Sequence, residues 1–537
     1  MIKFLFLFLL YLPFLSQGQF DNKQAEKVDI IKYDFKIHIH DRTDTIQGQT
    51  NIFFVLKKPV KQLVLNFKNK NSQGKGMQVL KVLDSKGEEL MYHHKNNLLT
   101  INVEDLSTKQ DTFKISIKYA GIPEDGLYIK TNKYGKRTFF GDNWPNRAQY
   151  WLPVIDHPSD KALVSWHILA PKHYKIIASG ILKRVISQTH YNRYDFATKV
   201  PLPTKVMVFG AADFNIKFFD PLYLTNKCVP VSSWLYQNSP LTGFDDYKCS
   251  LKILKFYDSL IGPYAFEKLA NVQSNTRFGG MENAGNIFYD ENTVDGTKSA
   301  ENLVAHEVAH QWFGNAVSEK NWRDIWLSEG FATYLTDVYI EKNYGQEKAN
   351  KRLKQERQKI IRYNRFSKQP IVYQEQKNLF KLLNPNSYEK AAWVLHMLRQ
   401  QVGDPVFFKI LGQFYRQYYL KNAGTEDFIQ LAEQISGQKL DWFFDQWLYR
   451  AGIPKLKFDK KLAPNNRQLT LKISQTGQVY QLKIPIHLSD EKMRVQKAVL
   501  LKKKTQSFHF KLPENMTLKN LKLIIDPNAT LLFENEN

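Results

Sequence analysis

Cysteine is nearly absent from this chain: two in 537 residues, Cys228 and Cys249. One disulfide between them and two buried free thiols both remain open. Nothing around either residue marks a nucleophile. Long internal repeats and low-complexity linkers are also lacking, so neither a repeat array nor a flexible tether organises the chain. Beyond the first twenty residues no stretch is apolar enough to span a membrane. Acidic residues are scarce, 52 against 76 Lys and Arg, for a formal charge of +24. That excess invites a nucleic-acid partner. The lysines are spread along the chain, however, and the densest run, KANKRLKQERQKIIRYNR at 348–365, interleaves few apolar residues. It reads as a solvated helix face, and no nucleic acid is expected. Affinity for anionic surfaces or acidic peptides stays open.

Apolar material is plentiful. Hydrophobic residues make up 43% and aromatics 14%, which excludes global disorder and allows several buried cores. The opening MIKFLFLFLLYLPFLSQGQF places one lysine, Lys3, before an apolar run from Phe4 to Leu15, with Ser16 and Gly18 after it. This is the pattern of a secretory signal peptide, expected over residues 1–18. An uncleaved anchor is the other reading, but the run is short for a membrane span. It holds no cysteine, so a lipoprotein anchor is not indicated. An exported protein is expected, periplasmic or extracellular.

Three patterns follow in order. From about 28 to 215 apolar residues alternate, as in YDFKIHI, where Tyr33, Phe35, Ile37 and Ile39 share one face. His38 and His40 fall on the opposite face, expected exposed and without function. The period then becomes helical. DDYKCSLKILKFYDSLIG, SEGFATYLTDVYIEKNYG, YEKAAWVLHMLRQQVG and TEDFIQLAEQISG suit helices, with Gly262, Gly345 and Gly403 placed where helices stop. His396 sits inside an apolar helix and reads as packed. After Pro454 strands return in KLKFDKK, QLTLKIS, YQLKIPIHL and KLIID. The expected organisation is a β domain at 19–215, a mostly helical catalytic domain at 216–452 and a small β domain at 453–537.

Residues 306–310 read HEVAH. On a helix His306 and His310 lie one turn apart on one face, so both imidazoles reach one metal ion. Glu307 stands beside them and can take a proton from water. A third ligand is needed, and WRDIWLSEGFATYL supplies Glu329, eighteen residues beyond His310. Gly314 ends the first helix, a loop crosses back, and a carboxylate in the first turn of the next helix can face the histidines. Two His, one Glu and an open position make a catalytic zinc arrangement. Upstream, RFGGMENAGN at 277–286 is too glycine-rich for a helix interior, and Glu282 there could hold a cation.

Together these motifs resemble the M1 family of zinc aminopeptidases, the gluzincin group that includes aminopeptidase N and leukotriene A4 hydrolase. GGMEN at 279–283 matches the family's GxMEN, HEVAH with Glu329 matches HExxH-x18-E, and YEKAAWVLHML from Tyr388 resembles the segment bearing its catalytic tyrosine. The resemblance covers about 30–450. It implies an N-terminal antiparallel β domain, a thermolysin-like zinc domain and a C-terminal β-sandwich, a multidomain α+β protein. It implies one Zn2+ per chain on His306, His310 and Glu329, with Glu307 as general base. Tyr388 would hydrogen-bond the oxyanion. Glu282 would bind the substrate's free α-amino group, within a substrate site formed by Gly279, Gly280, Met281, Glu282 and Asn283. Gly279 and Gly280 would pair with the peptide through their backbone. Partners would be peptides with free N-termini.

Two departures qualify the resemblance. Many members hold the substrate's amino end with a glutamine from the β domain. Here GDNWPNRAQYWLPVIDHPSDKA keeps the later Asp156, Pro158, Lys161 and Ala162 pattern but has Asp142, Asn143 and Trp144 where that glutamine would lie. The first-residue pocket therefore does not transfer. The large helical C-terminal domain of many relatives is also expected to be missing, which implies a more open site admitting longer peptides. Competing readings are a peptide-binding pseudoenzyme, a lipid-epoxide hydrolase and a basic binding module. The intact catalytic positions weigh against the first and the missing helical domain against the second. Only net charge favours the third.

Overall fold

A computed structural model describes residues 27–104, 112–373, 378–463 and 467–536. The export segment expected at 1–18 lies outside the described residues. The N-terminal part is built on an eight-stranded twisted sheet. Its path runs Ile181–Ser187, Tyr191–Ala197, Lys161–Pro171, Val28–His38, Ile46–Leu56, Phe113–Ile122 and Gly76–Leu83, with Leu202–Pro203 attached to Lys161–Pro171. Period-two alternation drives this. Tyr33, Phe35, Ile37 and Ile39 are all buried against the core. Along this path every pairing among the described residues is antiparallel except one: Val28–His38 runs parallel to Lys161–Pro171, in a register from Lys32 with Leu163 to His38 with Leu169. His38 and His40 are half-buried instead of exposed, because their rings stand 3.8 Å apart and lean on Tyr191.

The second part contains the helices α1 (Cys249–Leu260), α2 (Glu301–Ala309), α3 (Trp326–Tyr344), α4 (Gln346–Asn364), α5 (Ala391–Val402), α6 (Asp404–Gln417) and α7 (Thr425–Ser436). Gly345 and Gly403, which follow α3 and α5, have φ of +90° and +85°, a conformation that glycine adopts without a Cβ penalty. Helix α3 is buried on nearly all sides from Trp326 to Ile340 and forms the axis of this part. A five-stranded sheet, which the helical reading of the region omitted, lies alongside. Its order is Phe214–Phe218, Val231–Tyr236, Leu269–Ser274, Asn286–Asp290, Gly280–Met281. Val231–Tyr236 and Leu269–Ser274 are covered on both faces, so they carry no alternation for a sequence to display.

The C-terminal part is two packed sheets. One orders Thr505–Lys511, Gln468–Thr476, Lys455–Ala463 and Glu534–Asn535; the other Arg494–Leu501, Leu482–Ser489 and Lys522–Ile525. Leu456, Leu469, Leu471 and Ile473 meet Leu482, Ile484 and Ile486 between them, all buried. Arg357 of α4 holds Asp526 at 3.0 Å, and His396 of α5 bonds the Ala529 carbonyl at 3.0 Å, so this part is fastened to the helices. No described helix is long and apolar enough to cross a membrane. Cys228 is exposed, Cys249 is half-buried, and the two are not bonded.

Two lysines, Lys205 buried and Lys161 half-buried, join the first part to the second. Lys205 bonds both carboxylate oxygens of Glu319 at 2.7 and 2.9 Å, with both side chains almost wholly inaccessible. Lys161 donates to the carbonyls of Asn315, Ala316 and Lys421 at 3.2, 2.8 and 2.9 Å. Burial pushes its ammonium down to about 7. Removing one member of a buried pair strands the other charge, at about 3–5 kcal/mol. We therefore expect Lys205→Met to lower the melting temperature clearly, and Lys205→Met with Glu319→Leu to recover part of the loss. An additive double variant in thermal melts would contradict a coupled pair.

Candidate active site

Helix α2 carries His306 and Glu307, and His310 closes it. The chain must then turn sharply. Gly314 has φ +125°, and a Cβ there would stand 2.5 Å from Ser328 Oγ and 3.0 Å from His310 Nδ1. After the crossing loop, α3 begins at Trp326 and presents Glu329 in its first turn. Three atoms converge. His306 Nε2 and His310 Nε2 are 3.1 Å apart, and Glu329 Oε2 is 3.5 Å from the first and 3.2 Å from the second. Zinc bonds of about 2.0–2.2 Å put tetrahedral ligands roughly 3.3–3.6 Å apart. The observed edges of 3.1, 3.2 and 3.5 Å lie within about 0.2 Å of that range, and the N, N, O donor set suits zinc. His306, His310 and Glu329 form a metal-capable group among the described residues.

Surrounding contacts orient the donors. His310 Nδ1 faces the Phe313 carbonyl at 3.1 Å and Ser328 Oγ at 3.1 Å. A proton on Nδ1 leaves the Nε2 lone pair facing the triangle. The His306 ring stacks on Tyr388 at 6.0 Å, 16° from parallel. Burial works against a charge on His310, but Glu329 outweighs it and raises the imidazole to about 9. Burial also opposes ionisation of Glu329, and the two histidines override it, holding this carboxyl well below the usual range.

Glu307 and Glu282 are both buried, and burial raises both carboxyls. His310 opposes the rise, and neighbouring carboxylates add to it. Glu282, Glu307 and Glu329 thus crowd three carboxyls into one pocket, an arrangement that a metal dication and an ammonium group would hold ionised. Glu282 Oε1 is buried without a hydrogen-bond partner. Such a group calls for a ligand or water. Gly280 lies against Glu307: a Cβ there would fall 2.3 Å from Glu307 Oε1. Gly280 and Met281 form the edge strand of the sheet, leaving backbone groups on the outer side. Tyr388 lies in a π-helical turn, Asn386–Lys390, that leads into α5. Burial and then the carboxylates of Glu329, Glu282 and Glu307 raise its hydroxyl well above the ordinary value, so it stays an O–H donor.

The expected residues His306, Glu307, His310, Glu329, Glu282 and Tyr388 therefore meet in one pocket, with Gly280 and Met281 along its edge. Gly279 is exposed at the lip, and Asn283 is buried with its amide unpaired. The Asp142–Trp144 segment is occupied elsewhere. Asp142 is paired with Arg147 and accepts from Arg277 N at 3.4 Å. Asn143 donates to the Thr204 and Met207 carbonyls. Trp144 packs edge-on against Phe278 and Trp322. Asp324 bonds Thr425 N and Oγ1 at 3.1 and 2.7 Å, at the start of α7. Gln311, Asn315 and Ser328 were not foreseen. Their signal was slight: polar side chains in an otherwise apolar stretch.

Two family models match this chain: the Peptidase M1 N-terminal domain over 30–206 and the Peptidase family M1 domain over 246–447. Glutamyl aminopeptidase of Sus scrofa is 23% identical over 478 residues, spanning 82% of this chain and 49% of the relative. The chain thus covers about half the length of that curated relative. Among solved structures, the M1 zinc metallopeptidase from Deinococcus radiodurans aligns with a TM-score of 0.70 and 22% identity, over 82% of this chain and 96% of that one. Legionella pneumophila aminopeptidase A, solved with aspartic acid, aligns with a TM-score of 0.80 and 18% identity, over 95% of this chain and 60% of the other. At these identities the structural likeness concerns the fold.

The metal site has a test independent of turnover. At a hundred times its dissociation constant, a metal that binds only the folded chain stabilises it by about 2.7 kcal/mol. We expect thermal melts of chelated protein to shift upward when zinc is returned, and Glu329→Ala to remove the shift.

Proposed function

The chain belongs to peptidase family M1, and from that premise we propose that it is a zinc aminopeptidase, holding one zinc ion and releasing the first residue of peptides with a free N-terminus. The observation that carries this reading is the buried Glu282 carboxylate, whose Oε1 has no partner, in the same pocket as the His306, His310 and Glu329 triangle. An acceptor kept without a partner beside a metal-capable group suits a substrate ammonium. The three carboxylates of the pocket also compensate the desolvation of that cation.

Zinc, when bound, supplies a Lewis acid that polarises the scissile carbonyl and acidifies water. The protein residues do the rest. Glu282 receives the α-ammonium and sets the peptide's start. The outer edge of Gly279 and Gly280 pairs with the extended backbone, as an added strand would. Glu307 accepts the proton of the attacking water on its carboxylate and passes it to the leaving amine. Tyr388, buried beside these carboxyls, keeps its proton and donates it in a hydrogen bond to the oxyanion. Its stacking on His306 holds the ring at the pocket wall. We place the protein outside the cytoplasm, on the Lys3, Phe4 to Leu15, Gly18 pattern of its first residues.

The experiment is hydrolysis of aminoacyl anilides, with N-acetylated controls, before and after chelation and zinc return. Cleavage of free-amine substrates alone, lost on chelation and restored by zinc, is expected. Glu307→Gln should keep zinc and lose roughly 10²- to 10⁴-fold in kcat. Tyr388→Phe should lose on the order of 10²-fold in kcat with little change in zinc content. Glu282→Ala should reduce the preference for free over acetylated amines more than it reduces metal binding. Full activity in Glu307→Gln would sink the mechanism. An inactive, zinc-loaded, folded wild type would favour a peptide-binding pseudoenzyme.

A further inference from the structure

Gln311 directly follows the second histidine and is fully buried. Its side chain leaves the metal helix and grips the turn that carries Glu282. Oε1 accepts from Gly285 N at 2.9 Å, and Nε2 donates to the Glu282 carbonyl at 3.0 Å. Nε2 also donates to the Glu307 carbonyl at 3.4 Å. Both ends of the amide are used, and exchanging them would set donor against donor. Asn315, also fully buried, gives the Glu282 carbonyl a second donor at 2.6 Å. The carbonyls of Asn315 and Ala316 accept in turn from Lys161 of the N-terminal part.

Two of these bonds fall on the backbone of Glu282 and a third on Gly285 in the same turn. One oxygen of the Glu282 carboxylate has no partner at all. The backbone grip therefore governs where the carboxylate stands relative to Glu307 and the metal triangle. Gln311 in particular spans the main chain of both acidic residues, Glu282 and Glu307.

We propose that Gln311 and Asn315 are positioning residues that set the separation between the amine-binding carboxylate and the metal–base pair, and so fix the cut one residue from the N-terminus. The proposal rests on the assignment of Glu282 as the amine anchor. Losing the Gln311 amide leaves Gly285 N unbonded and the turn free to shift, while no metal ligand is touched directly.

The test uses the full chain with zinc. Leucine hydroxamate, which offers a free amine and a metal-binding group, is titrated by calorimetry beside its N-acetylated form. Zinc content, KM and kcat are measured in parallel. For Gln311→Met we expect the affinity ratio of free to acetylated ligand to fall about tenfold, the value of one hydrogen bond of about 1.4 kcal/mol. KM for free-amine anilides should rise with zinc content unchanged. Asn315→Ala leaves Gln311 in place and should give a smaller fall of the same kind; it carries the test if Gln311→Met does not fold. Equal weakening of both ligands, or zinc lost in step with affinity, would overturn the proposal, since a merely structural role predicts either. The binding ratio needs no turnover. A wild type that binds the amine ligand selectively but cleaves nothing would defeat the aminopeptidase reading alone.

Discussion

Three lone pairs directed at one point are the constraint on which this molecule is organised. His306, His310 and Glu329 stand with donor atoms 3.1 to 3.5 Å apart, a spacing that leaves them unstable without a cation or shared protons between them. To bring them together, α2 must end at His310, the chain must reverse at a glycine with φ +125°, and α3 must start with its third ligand in the first turn. Helix α3 is then buried continuously from Trp326 to Ile340, since the ligand end cannot move without loosening the core around it.

Around this point the protein concentrates negative charge and removes water. Glu282, Glu307 and Glu329 share a buried pocket; burial raises the cost of ionising Glu282 and Glu307, and neighbouring carboxylates add to it unless cations enter. Burial, with these carboxylates, keeps Tyr388 protonated. A pocket of this kind is costly in isolation and favourable once a dication and an ammonium occupy it, which ties the stability of the site to its ligands.

The rest of the fold braces this pocket. Lys205 with Glu319, and Lys161 with three carbonyls, dock the N-terminal sheet onto the loop behind the metal helix. The C-terminal sheets are fastened to α4 and α5 through Arg357 and His396. Buried polar contacts at both junctions impose a defined orientation, because a misplaced partner would leave a charge or carbonyl unsatisfied.

Much was legible in the chain itself. HEVAH and Glu329 define a metal-binding spacing because helical periodicity alone places i and i+4 on one face. The alternation of Tyr33, Phe35, Ile37 and Ile39 gave their strand, and Gly345 and Gly403 the ends of α3 and α5, because these are local effects of backbone and side chain. Tertiary structure decided what depends on residues far apart in sequence. It made Val28–His38 run parallel to Lys161–Pro171, and it buried the strands Val231–Tyr236 and Leu269–Ser274 of the five-stranded sheet on both faces, erasing the alternation that would have announced them. It also spent Asp142 on Arg147 and Asn143 on backbone carbonyls, and it turned Gln311 toward the Glu282 turn. A polar side chain's partner is chosen by whichever unsatisfied group the packed fold brings within about 3 Å, and no local pattern encodes that choice.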